Sequence, residues 1–256
     1  MDDLSADENR ELFGAWASRF NHGHNYVLAV TAIGPVDEET GMVVNIKLID
    51  AVLQERIVAK FDQRSINDEI PEFASRSTSL ESLILYFRDV LRDLPGGATL
   101  DGLRLWESPT LYANWNQEDD LVTITRVYEF AAAHRLHIDG MSDDENARLF
   151  GKCNNPSGHG HNYVLEVTVG GPMDSATGFV TDISKLDAVV AERVIDRYDH
   201  KHLNDDVAEL AGKNPTSEVV AIEIFRQLEG AVPGTLESVR LRETARNMFE
   251  VRRGDV

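Results

Sequence analysis

Gly151-Lys152-Cys153-Asn154-Asn155-Pro156-Ser157-Gly158-His159-Gly160-His161-Asn162-Tyr163 is the stretch on which the reading of this chain turns. It holds the one cysteine of 256 residues, with five residues between it and two histidines spaced i, i+2. Tyr163, Val164, Leu165, Val167, Thr168 and Val169 favour a strand after Gly158, and side chains two apart on a strand point to the same face. Two imidazoles on one face make two arms of a tetrahedral zinc site. His134 ends an alternating run, Ile124 to Phe130 and onward, on what should be the neighbouring strand, and is the expected third ligand. Three neutral nitrogens leave the fourth zinc position open, the arrangement of a catalytic site. Cys153 is then a candidate base or nucleophile. Taken singly, a buried cysteine is commonly a small inert hydrophobe, and paired strand histidines are often plain surface residues. It is their combination with His134 and a second histidine cluster downstream that points to a metal.

Composition bounds the rest. Lys and Arg number 25 against 44 Asp and Glu, a formal charge of −19, which argues against nucleic-acid or anionic-membrane binding. A phosphorylated substrate would need zinc and local cations to counter that field, with Lys152, Arg135 and Lys201 as candidates. One cysteine excludes an intramolecular disulfide framework and fits a reducing cytoplasm. Met1-Asp2-Asp3-Leu4-Ser5-Ala6-Asp7-Glu8 has neither a basic start nor an apolar stretch, so no signal peptide is expected. No run approaches a membrane span. The expectation is a soluble cytoplasmic protein acting on a small molecule.

The chain repeats itself. Gly14 to Tyr26 is a worn copy of Gly151 to Tyr163 at a constant offset of 137 positions, with His22 facing His159 and His24 facing His161. The register extends from Glu8-Asn9 with Glu145-Asn146 to Asn67 with Asn204 and Glu81 with Glu218. One residue then drops out, and Arg104-Leu105-Trp106-Glu107 matches Arg240-Leu241-Arg242-Glu243. Domains of 1–118 and 119–256 follow, joined near Asn116-Gln117-Glu118-Asp119-Asp120. The copies differ where chemistry would live: Trp16 stands opposite Cys153 and Gln63 opposite His200, and His134 has no counterpart. The first copy is therefore expected to be structural, the second catalytic. The first copy also lacks the segment that would supply its opening strand, so either the start lies upstream or an edge is covered by another chain.

In the second half, Leu121 to Arg135 and His159 to Gly170 read as strands, the latter continuing through Gly178 to Thr181. Ile183, Leu186, Val190, Val194 and Tyr198 lie near helical spacing, capped by Asp182 or Ser184. Thr216 or Ser217 caps a second helix with Val220, Ile224 and Leu228 on its apolar stripe. Ser142 to Phe150 reads as a capped helical turn, and Ser238 to Glu243 and Asn247 to Arg252 as strands. The order β-β-α-α-β-β suits an α+β fold, an antiparallel four-stranded sheet with two helices on one face in each repeat. His137 and His202 read as surface residues.

Four motifs, Phe130-Ala131-Ala132-Ala133-His134-Arg135-Leu136, Cys153 to Tyr163, Tyr198-Asp199-His200 and Arg242-Glu243-Thr244, resemble the 6-pyruvoyl-tetrahydropterin synthase family, which includes the bacterial 6-carboxytetrahydropterin synthases of the queuosine pathway. The resemblance covers 123–254 and, more faintly, 7–115. It implies two tunnelling-fold repeats, a homo-oligomer with active sites between subunits, zinc on His134, His159 and His161, and Cys153 as a proton-transferring base. Asp199 and His200 would relay its proton, and Glu243 would anchor the pterin. The implied reaction is loss of triphosphate from 7,8-dihydroneopterin triphosphate to give 6-pyruvoyl-tetrahydropterin. The alternative cleaves the side chain, leaving a 6-carboxyl group and releasing acetaldehyde. The spacing of Cys153 and His159 resembles the first branch and Asn214-Pro215-Thr216-Ser217-Glu218 the second. A non-catalytic pterin- or metal-binding module is the reading from a different class. A homotrimer or similar pseudo-sixfold ring is the expected assembly.

Overall fold

The structure, a computed structural model, describes residues 4–14, 17 and 22–256. Met1 to Asp3 and Trp16, the position opposite Cys153, lie outside the described residues. The chain divides into two compact units, Met1–Thr125 with Gly170–Thr181, and Arg126–Val169 with Asp182–Val256.

In the first unit, α1 (Ala6–Phe13) starts on a capping box in which Ser5 and Glu8 satisfy each other's backbone N–H groups, the reciprocal arrangement that closes a helix start. Strand β1 (Val27–Ile33) pairs antiparallel with β2 (Thr99–Ser108), Val27 opposite Trp106, and β2 with β3 (Leu111–Asn116), Leu103 opposite Trp115. Between β1 and β2 lie α2 (Ile46–Leu53), capped by Asn45, and α3 (Leu80–Val90), capped by Ser79.

The second unit repeats the plan. Strand β4 (Val122–His134) enters it at Arg126, followed by α4 (Asp143–Phe150) and β5 (His159–Gly170). Next come α5 (Ile183–Val190), the two-residue β6 (Lys201–His202), α6 (Ser217–Leu228), β7 (Thr235–Arg242) and β8 (Met248–Arg252). The strands neighbour one another in the order β4-β5-β7-β8. Along β5 the buried positions alternate, Tyr163, Leu165, Val167 and Val169, and one core joins them to Leu186, Val190 and Val194 and to Val220, Ile224 and Leu228. Both helices thus lie on one face of the sheet, since period-2 positions face one way. Asp182 caps α5 and Thr216 caps α6.

One expectation fails. The strand ending at Gly170 does not resume at Gly178. Asp174 Oδ1 accepts the N–H groups of Ala176 and Thr177 (3.0 and 2.8 Å), an aspartate turn that draws the backbone off the ladder. The 170–181 segment clusters instead with the first unit, where Val180 N–H donates to Glu81 Oε1 (2.8 Å) and Ser79 Oγ–H to the Gly178 carbonyl (2.7 Å).

Glu81 is 1% exposed. Burial, opposed by the Val180 N–H, pushes its carboxyl up to about 7. Because the folded value lies above the unfolded one, this group's contribution to stability is fully present below about pH 4.5 and lost as pH rises through about 7. Chemical denaturation of wild type and Glu81→Gln should therefore diverge with pH, the variant gaining about 2 kcal/mol relative to wild type between pH 5 and pH 8. A gap that stays constant across that range would contradict the buried acid.

Candidate active site

Three histidines converge at one end of the core face of the second unit. His134 is the last residue of β4, His159 and His161 begin the neighbouring β5, and both continue the register of buried Tyr163. Their ligand atoms all lie within 4.8 Å of one another. His134 is 1% exposed, and its Nδ1 is 2.8 Å from the carbonyl oxygen of Pro215. A carbonyl can only accept, so Nδ1 carries the proton and Nε2 is left with a lone pair. That Nε2 sits 3.2 Å from Nε2 of His159. The edge of a tetrahedron with zinc–nitrogen bonds of about 2.0–2.1 Å is about 3.3 Å.

The surroundings favour neutral imidazoles. Burial, ahead of every other cause, pushes both His134 and His159 below the usual histidine range. Three polar atoms around the cluster are buried with no hydrogen-bond partner among the described residues: His159 Nδ1, His161 Nε2 and Tyr163 Oη. Buried polar atoms are nearly always paired, so several orphans at one place mark a site built for something else. The donor set fits a divalent cation. Glu243, just past β7, brings a carboxylate oxygen to 3.6 Å from His134 Nε2 and 3.7 Å from His161 Nε2. It adds the negative charge that a cation, or a donor edge of a ligand, would meet.

Cys153 lies in a short 3₁₀ turn, Gly151–Asn154, and is partly exposed. Its carbonyl accepts Leu136 N–H (2.8 Å), tying the turn to the chain that leaves His134. Burial, ahead of the negative charge of Glu243, pushes the Tyr163 phenol up. Asp199 and His200 follow α5. One Asp199 oxygen accepts Ala131 N–H and the other is 2.8 Å from His200 Nδ1. These contacts, Ala131 first, lower the Asp199 pKa and keep it ionised to orient the imidazole. His200 itself is 83% exposed, and it walls an open cleft of about 570 Å³ together with His161, Gly160 and Lys201. The Asp199–His200 pair and Cys153 share no hydrogen bond among the described residues. The structure thus gathers His134, His159, His161 and Glu243, ties the Cys153 turn to the chain just past His134, and sets His200, paired with Asp199, on a cleft that His161 also lines.

Two histidines read as surface residues are not. Asn154 Nδ2 donates to His137 Nδ1 (2.9 Å) and to the Leu136 carbonyl (2.8 Å), and the Arg135 guanidinium also meets His137 (3.1 Å). Arg135 and His137 therefore hold the cysteine turn. His202 walls the cleft beneath Gly158. The Pro215 carbonyl that fixes His134, and the Asn204 side chain that pairs both ways with the Arg135 backbone (2.9 Å each), had no visible marker beyond the repetition of Asn67 as Asn204.

In the first unit the degenerate copy keeps a partial likeness. His22 and His24 rings lie 5.0 Å apart, and His24 Nδ1 is 4.0 Å from Glu107.

The model of the family described as 6-pyruvoyl tetrahydropterin synthase matches residues 10–118 and again 123–254. The chain belongs to this family. A 6-pyruvoyl tetrahydrobiopterin synthase of Poecilia reticulata is 44% identical over 130 residues, 50% of this chain and 88% of the relative. A 6-carboxy-5,6,7,8-tetrahydropterin synthase of Synechocystis is 38% identical over 127 residues, 47% of this chain and 85% of that one. The solved 6-pyruvoyl tetrahydropterin synthase of Caenorhabditis elegans superposes with a TM-score of 0.50 at 42% identity, covering 52% of this chain and 95% of its own. The fold is therefore the tunnelling fold of that family, in two copies. No helix among the described residues is long and apolar enough to cross a membrane.

Gly158 makes the site testable from its frame. Its φ is +69°, and an added Cβ would stand 2.8 Å from His202 Nε2 and 3.0 Å from the His134 carbonyl oxygen. Gly158→Ala is expected to lose about 1–3 kcal/mol in urea unfolding and to bind zinc at least tenfold more weakly in competition with a chromogenic chelator. Unchanged zinc affinity would show that the entry to β5 does not set the histidine geometry.

Proposed function

We propose that the second repeat is a zinc-dependent pterin lyase that converts 7,8-dihydroneopterin triphosphate to 6-pyruvoyl-tetrahydropterin, while the first repeat, 1–118, serves as scaffold. The observation that carries this reading is the convergence of His134, His159 and His161 on one point with Glu243 beside them, in a chain of this family. Zinc held by the three imidazoles would supply a Lewis acid for negative charge developing on the substrate's side-chain oxygens.

The chain's own groups have separable tasks. The Glu243 carboxylate can accept two parallel N–H bonds from the amino-pyrimidinone edge of a pterin, a charge-assisted fork that fixes the ring. Cys153 would take a carbon-bound proton as thiolate. The thiolate is the active form of a cysteine base, and a nearby cation would favour it. Asp199 holds the Nδ1 side of His200, leaving Nε2 to give or take a proton at the cleft, the logic of a base steadied by a third group. Lys201, on the same cleft, is the cation best placed for a phosphate. Arg135 is engaged with His137 and Asn154 instead.

The second reading is the 6-carboxytetrahydropterin branch. It is favoured by the Asn214-Pro215-Thr216-Ser217-Glu218 run, where Pro215 holds His134. Both branches use the same residues and differ in product. The module without chemistry is disfavoured by the presence of Cys153 and the Asp199–His200 pair, which binding alone does not need.

Zinc-loaded protein incubated with 7,8-dihydroneopterin triphosphate should yield the pyruvoyl product by mass spectrometry, and Cys153→Ala should lower kcat by at least 100-fold. A carboxypterin with acetaldehyde would move the chain to the other branch. No turnover with one zinc per chain would sink the enzymatic reading. Glu243→Gln separates anchoring from metal binding: KM should rise at least tenfold, in line with loss of a charged hydrogen bond of about 1.5–3 kcal/mol, while zinc content stays near one per chain.

A further inference from the structure

The dipeptide Asp-Gly occurs twice in this chain, at Asp101-Gly102 and at Asp139-Gly140, and the fold treats the two in opposite ways. Asp101 and Gly102 lie inside β2. Gly102 is paired with Thr31 on one side and Asn116 on the other, and the Asp101 carbonyl accepts the Gln117 N–H (2.9 Å). A Cβ on Gly102 would stand 3.3 Å from the Trp115 carbonyl oxygen. That backbone is extended and cannot rotate without opening the sheet. Asp139 and Gly140 instead form the tip of a turn, closed by Met141 N–H on the Ile138 carbonyl (3.0 Å). The Asp139 side chain is fully exposed. A Cβ on Gly140 would meet nothing within 4 Å, and among the described residues no hydrogen bond holds its N–H. Exposed loop tips are the freest backbone in a domain, and a glycine puts no side chain in the way of its own nitrogen.

We propose that Asp139-Gly140 is a site of spontaneous isoaspartate formation in the folded protein, while Asp101-Gly102 is protected. The Gly140 backbone nitrogen gives up its proton and bonds to Asp139 Cγ; the Cγ–O bond breaks and the oxygen leaves as water. A water molecule then adds to the five-membered imide at the Asp139 main-chain carbonyl carbon and breaks that carbon's bond to nitrogen. The chain now runs through Cβ and Cγ, the main-chain carboxylate hangs free, and neither mass nor oxidation state has changed. His137 serves the first step. Its Nδ1 accepts from Asn154 (2.9 Å), so Nε2 carries the ring proton, and Nε2 faces Asp139 Oδ1 at 3.7 Å. A small side-chain rotation brings that N–H to the departing oxygen. The product is one backbone atom longer, in a turn with no slack. Asn146, buried at 0% exposure, accepts the Ile138 N–H (2.8 Å) and donates to the carbonyls of Ile138 (3.0 Å) and Met141 (3.2 Å). A lengthened chain cannot keep all three bonds, so isoaspartate frees the turn that leads from His137 into α4.

The full chain held at 37 °C and pH 7.4 for four weeks tests this. Trypsin releases the two sites in separate peptides, 93–104 and 136–148. Fragment ions that tell isoaspartate from aspartate, and labelled methyl transfer by an isoaspartyl carboxyl methyltransferase, count the product in each. In the folded protein isoaspartate at 139 should form at least tenfold faster than at 101, and in 6 M guanidinium chloride the two rates should come within threefold. Gly140→Ala should slow formation at 139 at least fivefold while keeping the far-ultraviolet circular dichroism of wild type. Hydrogen exchange across 136–148 should quicken at least tenfold in the isoaspartyl form, and stay unchanged in Asp139→Glu aged beside it. A 139 site that stays aspartyl, or that only matches the 101 site in the folded protein, overturns the proposal. So does a tenfold contrast that persists in denaturant, since it would owe nothing to the fold. Unchanged exchange in the isoaspartyl form would overturn the freeing of the turn. None of these readouts depends on catalysis, so a failed lyase assay leaves the modification standing and an inert Asp139 leaves the lyase reading standing.

Discussion

The hydrogen bond between His134 Nδ1 and the Pro215 carbonyl, 2.8 Å long and buried, is the constraint on which the histidine centre depends. It settles which nitrogen of His134 bears the proton, and so which one can meet a cation. It also ties the end of β4 to the turn that opens α6, two elements separated by most of the second repeat. The Asp199 carboxylate does parallel work three residues earlier on β4, accepting Ala131 N–H while the backbone of 200–203 docks on the same strand through His200 N–H to Ala131 O and Leu203 N–H to Ala133 O. One strand thus carries His134 of the histidine cluster at its end and holds the Asp199–His200 pair alongside. The core supplies the rigidity: Tyr163 and Phe130 stack at 5.0 Å directly behind the histidines.

What could be read from the chain alone followed from period and spacing. Alternation along 159–170 gave β5 its limits and put His159 and His161 on the face of Tyr163 and Leu165. The serine and threonine caps placed α4 and α6 within a residue of their ends. The features that escaped are carried by backbone atoms or by side chains whose partners lie far off in sequence. The Pro215 carbonyl has no signature as a residue type. The Asn154–His137 bond depends on a turn bringing together positions that look solvated in isolation. The return of 170–181 to the first unit follows from an acid, Glu81, almost a hundred residues earlier. A local pattern of Gly178, Phe179 and Val180 says strand, and the buried N–H acceptor overrules it.

The duplication separates what the fold requires from what the chemistry requires. His200 has φ +57°, a left-handed conformation that costs a side chain some strain, and strain at a residue of interest invites a functional reading. Gln63, its counterpart in the copy without the histidine, has φ +55°. The same holds for the helix before it, which widens to a π-turn at Gln54–Val58 and again at Ala191–Ile195, a feature often found at functional sites. Both survive in the copy that has lost the third histidine and the downstream imidazole, so neither reports on chemistry. They belong to the path by which the chain leaves this helix and turns toward the sheet. The imidazole at 200 is therefore an occupant of a bend the fold already provides, and in the second repeat alone that bend carries an imidazole. Replacing His200 by Gln, the residue the first copy keeps there, should leave the backbone undisturbed and remove only the imidazole, so stability should hold within about 0.5 kcal/mol while turnover, on the proposed lyase reading, falls.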